Sequence, residues 1–301
     1  MPITRRNMLT GAAAAFALPS VPALADTAPL RTIPSTGARV PAVGLGSWIT
    51  FNVGTDPVLL DACAEVIAAF VDEGGGMIDS SPMYGSSQAT IGYGLEKLND
   101  TNTVFPTDKV WTNNADMGPE QIAQSRAAWG IGRFDLLQVH NLVAWEAHLE
   151  TLFAMKEEGR LSHVGLTTSH GRRHDLLERL MRDHPVDTVQ LTYNLADREA
   201  EDRLLPLARE KGIAVIANRP YRRGTLPQRL QGQPLPDVAR DLEVDTWPQL
   251  LLKFILSHPA LTVAIPATTQ VAHVRENKAA ARGPMPDAEM RRRIVAHFQT
   301  L

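Results

Sequence analysis

The chain has 301 residues, 44% hydrophobic, 21% charged and 6% aromatic, with 30 Lys and Arg against 33 Asp and Glu. That mix suits a folded protein with a sizeable apolar core and excludes a disordered chain, which carries too little hydrophobe to offset its ordering entropy. A net charge of −3 argues against a nucleic-acid binder, and the single cysteine, Cys63, excludes an intrachain disulfide framework or a Cys-rich zinc site.

Residues 1–25 read as a segment apart from the fold. Arg5 and Arg6 precede an Ala-rich apolar run from Met8 to Leu18, and Ala23-Leu24-Ala25 offers the small-x-small pattern of a cleavage site. The run is too short to cross a hydrocarbon layer of about 30 Å, so it predicts a cleaved secretory signal and no stable membrane anchor. Thr4-Arg5-Arg6-Asn7-Met8-Leu9 resembles a twin-arginine (Tat) signal, which implies export by the Tat machinery to the periplasm. The competing reading is an ordinary secretory signal that carries two arginines. Cys63 lies in the helical stripe Leu59/Cys63/Ile67/Phe70 and reads as core filler.

From residue 26 to residue 301 no composition break marks a linker, and the pattern is one domain. Pro34-Ser35-Thr36-Gly37 sits between short extended runs in Arg31–Val40, which predicts a hairpin capping one end of the fold. Strands are expected at Ala42–Gly46, Met77–Ser80, Val110–Thr112, Leu136–His140, His163–Thr167, Thr188–Leu191, Ala214–Ala217 and Thr262–Ile265. Amphipathic helices fit between and after them, at Val58–Val71, Gln88–Leu98, Pro119–Trp129, Trp145–Glu158, Arg173–Arg182, Glu199–Lys211, Trp247–Ser257 and Val271–Ala281. Eight β-α units predict parallel strands with helical crossovers. Their number and total length match an α/β (β/α)₈ TIM barrel of about 250 residues. Pro220–Val244 is long for a connection and marks a functional loop. Gly44-Leu45-Gly46 alone is no nucleotide-binding signature.

Barrel enzymes carry their working groups at the C-terminal ends of strands. Those ends bring Asp79, Tyr84, Lys109 and His140 from neighbouring strands to one mouth. A phenol is a poor acid near neutrality; an ammonium stabilises its anion, and a carboxylate holds the ammonium. An imidazole alongside can hydrogen-bond and orient a carbonyl oxygen. The set suits polarising a carbonyl and delivering one proton as a hydride arrives. Singly, each residue has a plainer role: a turn anchor, a loop aromatic, a solvated cation, a core imidazole. A metal site at His170/His174 is rejected, because Arg172 and Arg173 would repel the cation.

The runs Gly44–Trp48, Ile78–Gly85, Thr107–Trp111 and Leu136–Asn141, with Gln190, Tyr193-Asn194, Ile265-Pro266 and Glu276-Asn277, resemble the aldo/keto reductase family. The resemblance implies reduction of an aldehyde or ketone with NADP(H), NAD(H) being the second option. It makes Tyr84 the general acid, tuned by Lys109 and Asp79, and gives His140 the carbonyl. It also implies cofactor contacts from Ser47, Trp48, Thr167, Thr168, Gln190, Asn218, Arg219, Pro220, Tyr221, Arg222, Thr268, His273, Glu276 and Asn277. The chain departs from the family pattern at three places. Thr167-Thr168 stands where a Ser-Asn pair is common, Asn218 where a stacking tyrosine is common, and Ala267 and His273 where Lys and Arg commonly clamp a 2′-phosphate. Arg219, Arg222 and Arg223 offer guanidinium forks that suit phosphate instead. Two other functions compete: a dinucleotide-binding redox sensor or regulatory subunit with slow turnover, and a metal or Schiff-base barrel enzyme using Lys109. The assembled Asp/Tyr/Lys/His set argues against the first, and Asp79 beside the lysine against the second.

Overall fold

The computed structural model describes residues 29–98 and 101–301, so the signal sequence expected at 1–25 lies outside the described residues. Leu30–Thr32 (β1) pairs antiparallel with Arg39–Pro41 (β2). Eight strands follow in parallel, each hydrogen-bonded to the next in chain order: Leu45–Gly46 (β3), Gly76–Asp79 (β4), Val104–Val110 (β5), Leu136–His140 (β6), His163–Thr167 (β7), Thr188–Thr192 (β8), Ala214–Asn218 (β9) and Leu261–Ala264 (β10). The first and last strands meet through parallel bridges, Val43 to Ala264 and Gly46 to Ala267, so the sheet closes on itself. The closure explains the Gly44-Leu45-Gly46 run. A Cβ on Gly44 would meet the Met77 carbonyl at 2.7 Å and one on Gly46 the Ile265 carbonyl at 2.8 Å, so glycine lets β3 approach both neighbours.

The helices are Pro57–Asp72 (α1), Ser87–Glu96 (α2), Gly118–Trp129 (α3), Trp145–Glu157 (α4), His174–Asp183 (α5), Leu204–Lys211 (α6), Thr225–Leu230 (α7), Trp247–Leu256 (α8), Val271–Ala279 (α9) and Ala288–Gln299 (α10). Several starts are written in local chemistry. Asp56 caps α1 by accepting from Val58 and Leu59 with Pro57 in the first turn, and Thr246 caps α8 with Pro248 beside it. None of the described helices is long and apolar enough to cross a membrane.

Two expectations shift. The third barrel strand runs over Val104–Val110, ahead of the expected Val110–Thr112, because Pro106 and the polar Thr107-Asp108-Lys109 interrupt its apolar signature while its residues still pair with β4 and β6. Lys109 thus stands at the C-terminal end of a strand and not at the start of one. The helix expected over Glu199–Lys211 is a short 3₁₀ turn at Glu199–Glu201 followed by α6. The sequence pattern also passes over α10, where only Ile294 and Phe298 are fully buried among exposed arginines.

The hairpin sits at the N-terminal end of the barrel. Ile33 and Val40 form one apolar cluster with Met77, Leu136, Ala214, Ile216 and Val263, near the starts of the strands, and thereby plug the bottom. Chemistry is left to the opposite end. Among the described residues, ten that are not glycine have left-handed backbone: Ile49, Asn141, Leu142, Ala144, His170, Arg173, Arg219, Arg222, Arg223 and Glu243. All ten lie on connections that leave a strand's C-terminal end. Such conformations cost on the order of 1–3 kcal/mol each and concentrate at functional sites.

Candidate active site

Asp79 ends β4, and its carboxylate is a hub. Oδ2 accepts from Lys109 Nζ at 2.6 Å, while Oδ1 accepts from Gln190 Nε2 at 2.9 Å and from Gln138 Nε2 at 3.4 Å. Lys109 donates a second bond to the Ser80 carbonyl at 2.7 Å. Burial opposes the ammonium, but the Asp79 and Tyr84 oxygens outweigh it and hold the Lys109 pKa above its ordinary value. The lysine is therefore charged and fixed.

Tyr84 reaches the same point by a tight turn. Its backbone N–H donates to the Ser81 carbonyl at 2.9 Å, and Gly85 takes φ 62° where a Cβ would collide with Asn52. Lys109 Nζ lies 5.1 Å from the Tyr84 ring centroid. Burial pushes the phenol up to about 12, against the pull of the Lys109 charge. The phenol keeps its proton through the neutral range and holds it available for a stronger base.

His140 ends β6. Its ring meets Tyr84 edge-to-face at 5.7 Å between centroids, and Trp111 stands 6.4 Å away. Burial, and then the Lys109 charge, push its pKa down to about 3, so the imidazole is neutral. Nδ1 lies 2.7 Å from Ser81 Oγ. Trp48, Met83 and Trp111 expose apolar surface around this group, Met83 and Trp111 by 37% and 40%.

The rest of the mouth is basic. After β9, Arg219 shares a hydrogen bond with His170, Arg222 pairs with Asp197 at 2.9 Å, and the Arg223 guanidinium stacks 4.1 Å over the Trp48 ring. Arg219 Nε is buried with no partner among the described residues. His170 also bonds Ser169, so its ring is committed to this loop.

The match to the Aldo/keto reductase family model runs over residues 42–295, from the first barrel strand into α10. The chain belongs to the aldo/keto reductase family. An uncharacterized oxidoreductase of Schizosaccharomyces pombe is 32% identical over 165 residues, covering 54% of this chain and 52% of that protein. The chain thus spans about half the length of that relative. The NADH-specific methylglyoxal reductase of Escherichia coli is 26% identical over 87% of this chain and 95% of its own. Among solved structures, an aldo/keto reductase from Klebsiella pneumoniae in complex with NADP and acetate superposes with a TM-score of 0.75 at 23% identity, over 88% of this chain and 95% of that one.

Within this aldo/keto reductase, the remaining candidate residues divide by what already holds them. Ser47 donates its hydroxyl to the Asp79 carbonyl at 2.8 Å, and Thr167 donates to Gln190 Oε1 at 3.0 Å. Both therefore brace the strand ends. Asn218 spans β7 and β8, donating to the Thr168 carbonyl at 2.8 Å and accepting from Thr192 at 2.7 Å. Thr168 and Pro220 are buried beside it. Around α9, Tyr221 donates to Asn277 Oδ1 at 2.6 Å, Thr246 donates to Glu276 Oε1 at 2.6 Å, and Thr268 Oγ1 lies 3.3 Å from His273 Nδ1. The structure thus gathers Thr268, His273, Glu276 and Asn277 beyond the end of β10, next to the β9 loop.

Three contributors escaped the sequence reading. Ser81 fixes His140, Gln138 joins Gln190 on Asp79, and Asp108 stands behind Lys109. Asp108 accepts from the Lys109 backbone at 2.7 Å, Gln88 at 2.9 Å and Trp129 Nε1 at 2.6 Å. The only signal for Ser81 was its place between Asp79 and Tyr84 in the connection. Asp108 and Gln138 lay inside runs that carry the family resemblance, but their roles were not legible, because the third strand was misplaced and an inward glutamine on a barrel strand reads as any polar residue.

Proposed function

We propose that this aldo/keto reductase reduces the carbonyl of an aldehyde or ketone to an alcohol, with NADPH or NADH as electron donor and Tyr84 as proton donor. One observation carries the reading. A protonated phenol, the fixed Lys109 ammonium that it hydrogen-bonds and a neutral imidazole stand together at the mouth, with Lys109 Nζ 5.1 Å and the His140 ring 5.7 Å from the Tyr84 ring centroid.

The residues present fit a dinucleotide. Among the described residues, Arg219 Nε is buried without a partner and no carboxylate pairs with Arg223, so the β9 loop holds unspent donors suited to phosphate. Arg219, Arg223, Thr268 and Asn277 would hold the phosphates and the far end, and Thr168 and Gln190 the ring near the barrel axis. A reduced nicotinamide dinucleotide supplies, when bound, the hydride for the carbonyl carbon. His140 Nε2 and the Tyr84 hydroxyl take the carbonyl oxygen between them. As charge gathers on that oxygen, Tyr84 gives up its proton, and the adjacent Lys109 ammonium stabilises the phenolate left behind. Trp48, Met83 and Trp111 exclude water and favour a substrate with an apolar body.

The test is a screen of NADPH and NADH oxidation over aldehydes and ketones, repeated with Tyr84→Phe. The ring stays and the proton goes, so turnover should fall at least about 10²-fold with dinucleotide affinity unchanged. Activity within a few-fold of wild type would remove Tyr84 from the mechanism.

We further propose export by the twin-arginine route to the periplasm. The support is the sequence pattern Arg5-Arg6, a short apolar run and Ala23-Leu24-Ala25. Replacing both arginines by lysine should leave folded, uncleaved protein in the cytoplasm of an expressing bacterium. Normal delivery of that variant would reassign export to the general secretory route.

A further inference from the structure

We propose that Ser81 is a positioning residue that sets the tautomer of His140, so that the ring presents Nε2–H and not a bare Nε2 to the carbonyl oxygen. The inference rests on the carbonyl-reduction reading for its consequence, but not for its geometry.

The argument is a count of protons. Ser81 is fully buried, with 0% exposure, and His140 is 5% exposed. Ser81 Oγ accepts from the Met83 backbone N–H at 3.2 Å and stands 2.7 Å from His140 Nδ1. A neutral imidazole carries one N–H, on either nitrogen. If the proton were on Nδ1, Ser81 Oγ would accept twice and its own O–H would point at nothing, since the described residues offer that hydroxyl no further acceptor. An unmade hydrogen bond by a buried donor is penalised, whereas donation from Ser81 to Nδ1 leaves neither the Ser81 hydroxyl nor Nδ1 unused. The second arrangement puts the ring proton on Nε2. That nitrogen has no hydrogen-bond partner among the described residues, which leaves it free for substrate.

Backbone geometry makes the arrangement rigid. The turn from Ser81 to Tyr84 is closed by two bonds to the same serine, Met83 N–H to its Oγ and Tyr84 N–H to its carbonyl at 2.9 Å. One turn therefore delivers the proton donor and fixes the orienting imidazole. Ser80, one residue earlier, holds Lys109 through its carbonyl. Of three successive residues, Asp79 and Ser80 both hold Lys109, while Ser81 holds His140 and the turn to Tyr84.

Histidine ¹⁵N spectra of the protein without cofactor or substrate test the tautomer directly, the His140 signals being assigned with His140→Gln. Wild type should show a protonated Nε2 and a bare Nδ1. Ser81→Ala should move the pair toward a mixture of tautomers, and Ser81→Thr, which keeps the hydroxyl, should restore the wild-type pattern. If Ser81→Ala does not fold, Ser81→Cys, with its weaker donor, should show a partial shift. With a carbonyl substrate, Ser81→Ala should lower kcat/KM about tenfold with dinucleotide affinity unchanged, and Ser81→Thr should recover most of the loss. Unaltered His140 signals in Ser81→Ala, or a Nδ1–H tautomer in wild type, would overturn the proposal. If no carbonyl is turned over by wild type, the functional reading fails while the spectra still decide the tautomer.

Discussion

Burial strips water from the Lys109 ammonium, and the site returns Asp79 Oδ2 at 2.6 Å and the Ser80 carbonyl at 2.7 Å. Both side chains of the pair are almost wholly enclosed, with 0% and 3% exposure. Removing one partner of such a pair leaves the other charge uncompensated, which costs about 3–5 kcal/mol. Lys109→Met should therefore lower unfolding stability by that amount in denaturant titrations, besides depressing turnover. Adding Asp79→Asn should return part of the stability but none of the activity, because the stranded charge is gone while the phenolate still lacks its counter-ion. Equal stabilities for the single and double variants would mean that Asp79 is satisfied by Gln138 and Gln190 alone. The grouping of Asp79, Tyr84, Lys109 and His140 was legible in the sequence because each is chemically distinctive and lies at or just past a strand end. Their supports were not, since Gln138 and Asp108 act only through neighbours that the barrel brings together.

At the scale of elements, the hairpin and the connections that follow the strands lie at opposite ends of the barrel. The alternation of apolar runs and amphipathic stretches placed every barrel strand but one close to its observed position. The exception, Val104–Val110, hides behind Pro106, which a strand tolerates when its missing N–H is not required by the ladder. The last helix was hidden for another reason: Ala288–Gln299 buries only Ile294 and Phe298 and is fastened largely by polar contacts. Arg291, for instance, donates to Tyr193 at 2.6 Å and pairs with Glu201 at 3.0 Å. The bottom hairpin should be separable from catalysis. Ile33 is 1% exposed within the cluster that closes the strand starts, so Ile33→Ala should cost about 2–5 kcal/mol of stability. Per folded molecule, kcat and KM should match wild type, because Ile33 and the catalytic groups lie at opposite ends of the strands. A change in kcat without a change in unfolding midpoint would place the hairpin in communication with the site.

Across the whole molecule, the mouth divides by charge, and that division bears on which dinucleotide is preferred. On the β9 loop, among the described residues, Arg219 has its unpartnered Nε and Arg223 lies over Trp48, while the Arg222 charge is already met by Asp197 at 2.9 Å. Beyond β10, where a 2′-phosphate would be distinguished from a hydroxyl, stand Ala267, Thr268 and His273, with no permanent charge among them. NADPH and NADH share a pyrophosphate and differ only at that second place. Arg219 and Arg223 should therefore raise affinity for both, and the contrast between the two rests on hydrogen bonds from Thr268 and His273. A net hydrogen bond contributes about 0.5–1.5 kcal/mol, against about 1.5–3 for one to a charged group. The 2′-phosphate is charged, so one such bond at the low end of the second range gives an expected preference for NADPH of about tenfold. Dissociation constants from quenching of tryptophan fluorescence check both halves. Arg219→Ala should weaken the two dinucleotides by similar factors, whereas Thr268→Ala should weaken NADPH alone. A hundredfold preference in wild type, or loss of NADPH binding alone in Arg219→Ala, would put a cation at the 2′-phosphate and reverse the assignment of the two ends.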